Sequence, residues 1–298
     1  MVVYQNKISP LLAIKDSVFD TNQIAHYALF IELGIDQFRF CVVDTRTHQV
    51  LVLEDYAVSN LLHQHQMANW IDELFESHDF IKYTNWKNIA ISFNTLHFTL
   101  VPDEFFRKEY GEGYWQLVTG EAVKLTERLI HQAIKSIKAR NLFVVEIDVW
   151  EQLMNKYSLS NLLLLHQVST LIEGTLAQAN TEAKLLMNLY FEEEFVTVVL
   201  AQNGKLLLCN KFTYKTPIDM GYFIMFVLDS LQLKPADVAC FLYGEITPYT
   251  EDYSLLKKFF TNLQFGKKLS QLRWGEAFED VPEHRYFGLY NIATFALL

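Results

Sequence analysis

Residues 28–43 read ALFIELGIDQFRFCVV. An apolar run reaches Glu32-Leu33-Gly34, turns through Ile35-Asp36-Gln37, and leaves with Phe38, Phe40 and Val42 alternating with Arg39 and Cys41. A period of two places successive side chains on opposite faces, so this is a β-hairpin. The turn Thr45-Arg46-Thr47-His48 and the run VLVLEDY extend it to a three-stranded meander. His65–Ser77 follows, with Trp70, Leu74 and Phe75 near helical spacing and acids opposite them, the pattern of an amphipathic helix. NIAISF, Asn88–Phe93, reads as a buried strand.

The same order returns about 157 residues later, from Tyr27 to Lys184. KLLMNLYF is a strand, the Glu192-Glu193-Glu194 run is a turn, and FVTVVLA is a strand. Gln202-Asn203-Gly204-Lys205 carries a hairpin signature, and LLLCNKFTY is a third strand. Thr216-Pro217 opens a helix with Thr as N-cap and Pro in the first turn. DVACFLY, Asp237–Tyr243, is a buried strand ending at Gly244. Strand, turn, strand, turn, strand, helix, strand occurs twice, and an internal repeat at half the chain length predicts two related halves. Right-handed crossovers make the strand after each helix parallel to the first, so each half is a mixed sheet flanked by helices. The expected division is 1–160 and 161–298, with an irregular insertion at 103–119. NLFVVEI (141–147) is a buried strand between them, Trp150–Tyr157 and His166–Ala179 are helices, and HRYFGLYNIATFALL is a packed helix or strand.

Composition narrows the function. The 298 residues are 51% apolar and 14% aromatic, enough for packed cores and against disorder. Acids outnumber bases 35 to 25, for a net charge of −10. Nucleic-acid binders gain affinity by neutralising phosphates, so a nucleic-acid partner is not expected. Lys257, Lys258, Lys267, Lys268 and Arg273 read as a solvated face. Cys41, Cys209 and Cys240 form no C-x-x-C and fit reduced, buried thiols in a cytoplasmic protein. No apolar run approaches the ~18 residues of a membrane span, and the N-terminus lacks the pattern of a signal peptide.

A duplicated β-β-β-α-β-α-β-α unit resembles the ribonuclease-H-like, actin-like ATPase superfamily. More closely, FIELGIDQFRFCVVD, LLLLHQVSTLIEG, and NGKLLLCNKFTYKTPIDMGYFIMFVL followed by FLYGEI resemble an uncharacterised bacterial family of similar length, a domain of unknown function assigned this fold. The resemblance spans nearly the whole chain and brings no activity with it. It implies that any nucleotide site lies between the halves. In active relatives each first hairpin carries D-x-G, the Asp positioning Mg²⁺ through water and the Gly admitting backbone N–H groups to the phosphates. A Gly-rich turn late in the second half holds the adenosine.

Here the first hairpin offers Glu32, Gly34 and Ile35: a longer carboxylate, the glycine, and no donor side chain. Gly34 either admits a phosphate or serves a tight turn. The second hairpin, from Asn188 to Glu194, sets LLMNL against LFIEL and so Asn188 against Glu32; it has no Asp, no Gly and three glutamates, whose like charges oppose a triphosphate. Tyr243-Gly244-Glu245 stands at the adenosine turn. The expected degenerate nucleotide or metal cleft is therefore Glu32, Gly34, Asp36, Gly244 and Glu245, with no catalytic residue and no resident metal. Two readings follow. One is a non-catalytic binding or assembly protein that holds a protein partner. The other is a divergent ATP-dependent kinase or ATPase using ATP and Mg²⁺, with Glu32 and Asp36 in place of the usual Asp. YGEGYW is either a partner contact or local packing. His63-x-His65 reads as a helix lead-in and His166 as a strand–helix junction. The oligomeric state is left open.

Overall fold

The computed structural model describes residues 8–58, 65–157, 162–179, 185–193 and 195–297. His63, Lys184 and Glu194 lie outside the described residues. The first half runs β1 (Leu12–Lys15), β2 (Tyr27–Leu33), β3 (Gln37–Asp44), β4 (Gln49–Ala57), α1 (His65–Ser77) and β5 (Asn88–Phe93). Next come β6 (Thr99–Pro102), α2 (Gly111–Thr119), β7 (Glu127–Ile134), β8 (Ala139–Glu146) and α3 (Ile147–Tyr157). A linking pair, β9 (Leu162–His166) and α4 (Gln167–Ala179), leads to the second half. That half comprises β10 (Leu185–Phe191), β11 (Phe195–Gln202), β12 (Lys205–Thr213), α5 (Pro217–Ser230), β13 (Ala239–Gly244), α6 (Glu251–Phe259) and β14 (Leu263–Phe265). The chain closes with β15 (Arg273–Trp274), α7 (Phe287–Tyr290) and α8 (Ile292–Ala296).

The described residues form three sheets. The first has the order β1-β4-β3-β2-β5-β9, with β15 added to β4; the second is β12-β11-β10-β13-β14; the third is β6-β8-β7. β5 and β9 are parallel to β2, as are β13 and β14 to β10, while the meanders are antiparallel. β9 completes the first sheet, and Tyr286, Leu289 and Ile292 join the apolar cluster on that sheet's face. The expected division at 160/161 thus falls ahead of a strand and two helices that pack with the first half. The 103–119 segment is also more regular than expected. Its residues 111–119 form α2, anchored by buried Trp115 and stopped by Gly120 at φ 76, the left-handed C-terminal stop that glycine adopts freely.

The two meanders match residue by residue. Gly34 N–H donates to Gln37 O at 2.8 Å, and Glu192 N–H donates to Phe195 O at 3.0 Å, so Gly34 and Glu192 are equivalent. Both meanders slip register at one place, between Val42 and Val43 in the first and between Leu200 and Ala201 in the second. Arg39 faces Asp55, and Thr197 faces Lys211. Asn94 N–H donates to Leu33 O, and Glu245 N–H donates to Phe191 O, both at 2.8 Å. α4 is buried along most of its length between the sheets, because Val168, Leu171, Ile172 and Leu176 join the apolar cluster under β10 and β11.

Candidate functional site between the hairpins

The equivalences place buried polar side chains face to face where the halves meet. Glu32, near the end of β2, is 3% exposed, and Arg39 across the hairpin is 1% exposed. Arg39 Nε donates to Asp55 Oδ1 at 3.0 Å, its Nη1 lies 3.7 Å from Glu32 Oε1, and its Nη2 donates to Glu245 Oε1 from the second half. Gln37 Nε2 also donates to Glu245 Oε1, at 3.2 Å. The reciprocal contact comes from Asn94 of the first half. Its Nδ2 donates to Glu192 Oε1, and its Oδ1 accepts from Lys211 Nζ, which also donates to Thr95 O at 3.0 Å. Each half thus sends the residue that follows its crossover strand into the other half's meander.

Burial sets the charges. It pushes the Glu32 carboxyl up to about 7 against the pull of Arg39, with the Glu192 charge adding to the rise. Burial also raises Glu192, opposed by Lys211 and Arg39. Lys211 is pushed down to about 8 by burial, against the attraction of Glu192 and Glu32. Gln167, at the start of α4, bridges the two acids, donating to Glu32 Oε2 at 3.4 Å and to Glu192 Oε1 at 3.2 Å. The C-terminal segment closes the floor: Tyr286 donates to Asp55 Oδ2 at 2.9 Å, Phe287 stacks on Tyr243, and a Cβ on Gly288 would lie 2.8 Å from Glu32 Oε2.

The expected site residues meet different fates. Glu32 and Glu245 come together, linked through Arg39. Asp36 is exposed at the turn. Gly34 sits beside Asn94, and a Cβ there would meet nothing closer than 3.6 Å, so the turn does not require glycine. Gly244 does require it: its φ is 80, and a Cβ would lie 2.1 Å from Phe191 O. Its N–H is already donated to His284 O at 3.0 Å, so it packs β13 against β10 and has no amide left for a ligand. The register also corrects the second hairpin. Tyr190, not Asn188, stands opposite Glu32 in the repeat, since Asn188 turns to α4 and donates to Thr175 Oγ1 at 3.0 Å. Nor is the acidic tip uniformly outward: Glu193 is exposed, but Glu192 is buried and accepts a hydrogen bond from Asn94 of the facing half. Arg39, Asp55, Asn94, Gln167 and Lys211 complete the network without having been singled out in the sequence. Their signal was a charge inside a strand for Arg39, Asp55 and Lys211, and an amide at a strand end or helix start for Asn94 and Gln167.

Between the hairpin tips the remaining space is about 110 Å³, bordered by Ile35, Asp36, Gln37, Asn94, Glu192, Glu193 and Phe195. Small-molecule sites run from roughly 300 Å³ upward. A larger cavity of about 500 Å³ opens beside the first hairpin, between β2, β5, α1, α3 and the three-stranded sheet. Leu33, Phe93, Leu96, Val144, Val145 and Val149 line it, with His97, Glu127 and Glu146 also on its wall. Among the described residues no group of three or more His, Cys, Asp or Glu could hold a metal, and no helix is long and apolar enough to cross a membrane.

These features define the class: the chain has the actin-like ATPase fold. A protein from Bacteroides thetaiotaomicron with an actin-like ATPase fold and unknown function is 20% identical, with a TM-score of 0.75 over 84% of this chain and 94% of that one. The PilM–PilN type IV pilus biogenesis complex contains a chain matched at 11% identity and a TM-score of 0.59, over 91% of this chain and 98% of that one. The chain belongs to the DUF3822 family, described as a protein of unknown function, whose model matches residues 16–263. No curated protein matches it.

Proposed function

We propose that this protein is a non-catalytic binding or assembly module whose nucleotide site is degenerate and occupied by its own side chains. The observation that carries the reading is the double latch of Arg39 on Glu245 and of Lys211 and Glu192 on Asn94. Cations and donors that would otherwise be free for phosphate are spent on carboxylates and amides of the opposite half. Opening the site to a triphosphate would break the Arg39–Glu245 ion pair and the buried hydrogen bonds of Asn94 to Glu192 and Lys211, charged groups that are expensive to leave unpaired. The partner is a protein whose apolar side chains enter the 500 Å³ cavity beside Gly34. PilM, of the same fold, is described in a complex with PilN, which gives the reading a precedent. The cysteines are all free thiols, which accords with a cytoplasmic setting.

Isothermal titration with Mg-ATP tests it. The expected result is no binding below millimolar concentration. Micromolar binding that is abolished by Glu32→Ala would replace this reading with a divergent ATP-dependent enzyme.

A further inference from the structure

The repeat exposes a difference between the halves. The outer edge of β4 is covered along its length: β1 pairs antiparallel with Val52–Asp55, and β15 pairs with Gln49 and Val50. The shared register makes β12 the counterpart of β4, with Lys211 at the place of Asp55, Leu208 at that of Val52 and Lys205 at that of Gln49. Yet β12 ends its sheet, and among the described residues no strand covers it. β4 is largely buried, whereas Lys205, Leu207 and Asn210 of β12 are exposed. The flanking helices differ in the same sense. Among the described side chains of α1 the exposed ones are Asn69, Glu73, Glu76 and Ser77. α5 instead presents Ile218, Tyr222 and Phe226, at 75, 64 and 56% exposure, one stripe at a spacing of four. Phe223 stacks on Phe212 at 5.1 Å and joins that helix to the bare strand.

A bulge and an inward-pointing charge can blunt a sheet edge against pairing. Both are present on β12, but both are also present at the same places on β4, which is paired. The first half therefore shows what such an edge accepts. It accepts an extended segment whose alternate apolar residues, Leu12 and Ile14, pack beside Leu53, followed by a carboxylate, Asp16, that accepts from Gln49 Nε2 at 3.2 Å. At the counterpart of Gln49 the second half carries Lys205, exposed and without an ion pair among the described residues. A carboxylate in the place of Asp16 would meet a cation there.

We propose that the outer edge of β12 and the adjoining stripe of α5 dock an extended strand of a partner protein, apolar at alternate positions and followed by an acidic residue, added antiparallel along Leu208–Lys211. This is strand addition, with backbone hydrogen bonds giving affinity and alternate side chains giving selectivity. The surface is separate from the cavity invoked above and does not rest on that reading.

The probe is an acetylated peptide with the sequence of residues 10–18, PLLAIKDSV, titrated into the full chain and mapped by hydrogen exchange. Slowed exchange confined to β12 is expected. Lys205→Glu should weaken binding by roughly fivefold or more, and a peptide carrying Lys in place of Asp16 should recover it on that variant. Binding without charge dependence, protection only on β4, no binding at millimolar peptide, or a concentration-dependent dimer protected on β12 would each overturn the proposal.

Discussion

Glu32 shows how one position changes meaning with its surroundings. In the sequence it reads as a metal-positioning carboxylate lengthened by one methylene. In the structure it is a buried acid, held by Gln167 and Arg39 and overlain by Gly288. Its carboxyl is raised from 4.5 to about 7, chiefly by burial. The folded state then holds a proton that the unfolded chain has lost between those values. The associated stability is present in full below about pH 4.5 and is lost as pH rises through 7. Glu32→Gln should flatten the fall in unfolding free energy over that window, by on the order of 3 kcal/mol, as read from urea denaturation at pH 5 and 7.5. An unchanged pH profile would mean that Glu32 ionises like an exposed acid.

At the scale of elements, the meanders were legible because alternation survives in FRFCVV and FVTVVL, and a period of two is set by the backbone. The helix at 65–77 was legible from its apolar spacing, and the one after Thr216-Pro217 from its start signals. α2 was not, because YGEGYW carries two glycines that weaken helix propensity, and Trp115 holds it only through tertiary packing. The role of each glycine was likewise invisible. Gly34→Ala should change stability by no more than about 0.5 kcal/mol, since the site has room and no left-handed backbone. Gly244→Ala should cost more than about 3 kcal/mol, because strain at positive φ adds to a collision with Phe191 O. Chemical denaturation of the two variants side by side checks both, and a tolerated Gly244→Ala would refute the packing account.

For the whole molecule, the halves are joined by polar reciprocity as well as by α4 and the C-terminal helices. Lys211 is the cation that the second half places against Asn94 and the two buried acids. Lys211→Met leaves Glu192 and Glu32 facing each other with one cation fewer. Unfolding at pH 7 should become easier by about 3 kcal/mol, and by less at pH 5, where Glu32, raised by burial to about 7, holds its proton and one buried negative charge is gone. Combined with Glu245→Gln, which removes the carboxylate of the other latch, the change should split a single calorimetric transition into two. One sharp transition in the double variant would show that apolar contacts alone couple the halves.

The sequence by itself determined the repeat, the mixed sheets and the loss of D-x-G in the second hairpin. These follow from local periodicity and residue identity, which need no knowledge of distant neighbours. Tertiary structure alone decided that Tyr190 and not Asn188 is the counterpart of Glu32, that Glu192 turns inward, and that Arg39 and Lys211 reach across to the opposite half. Those facts depend on hydrogen-bond register and on pairs more than a hundred residues apart, as between Lys211 and Asn94. What ALFIELGIDQFRFCVV left open was whether its carboxylate faced a ligand or the rest of the chain, and that depends on which charges the other half places within a few ångströms.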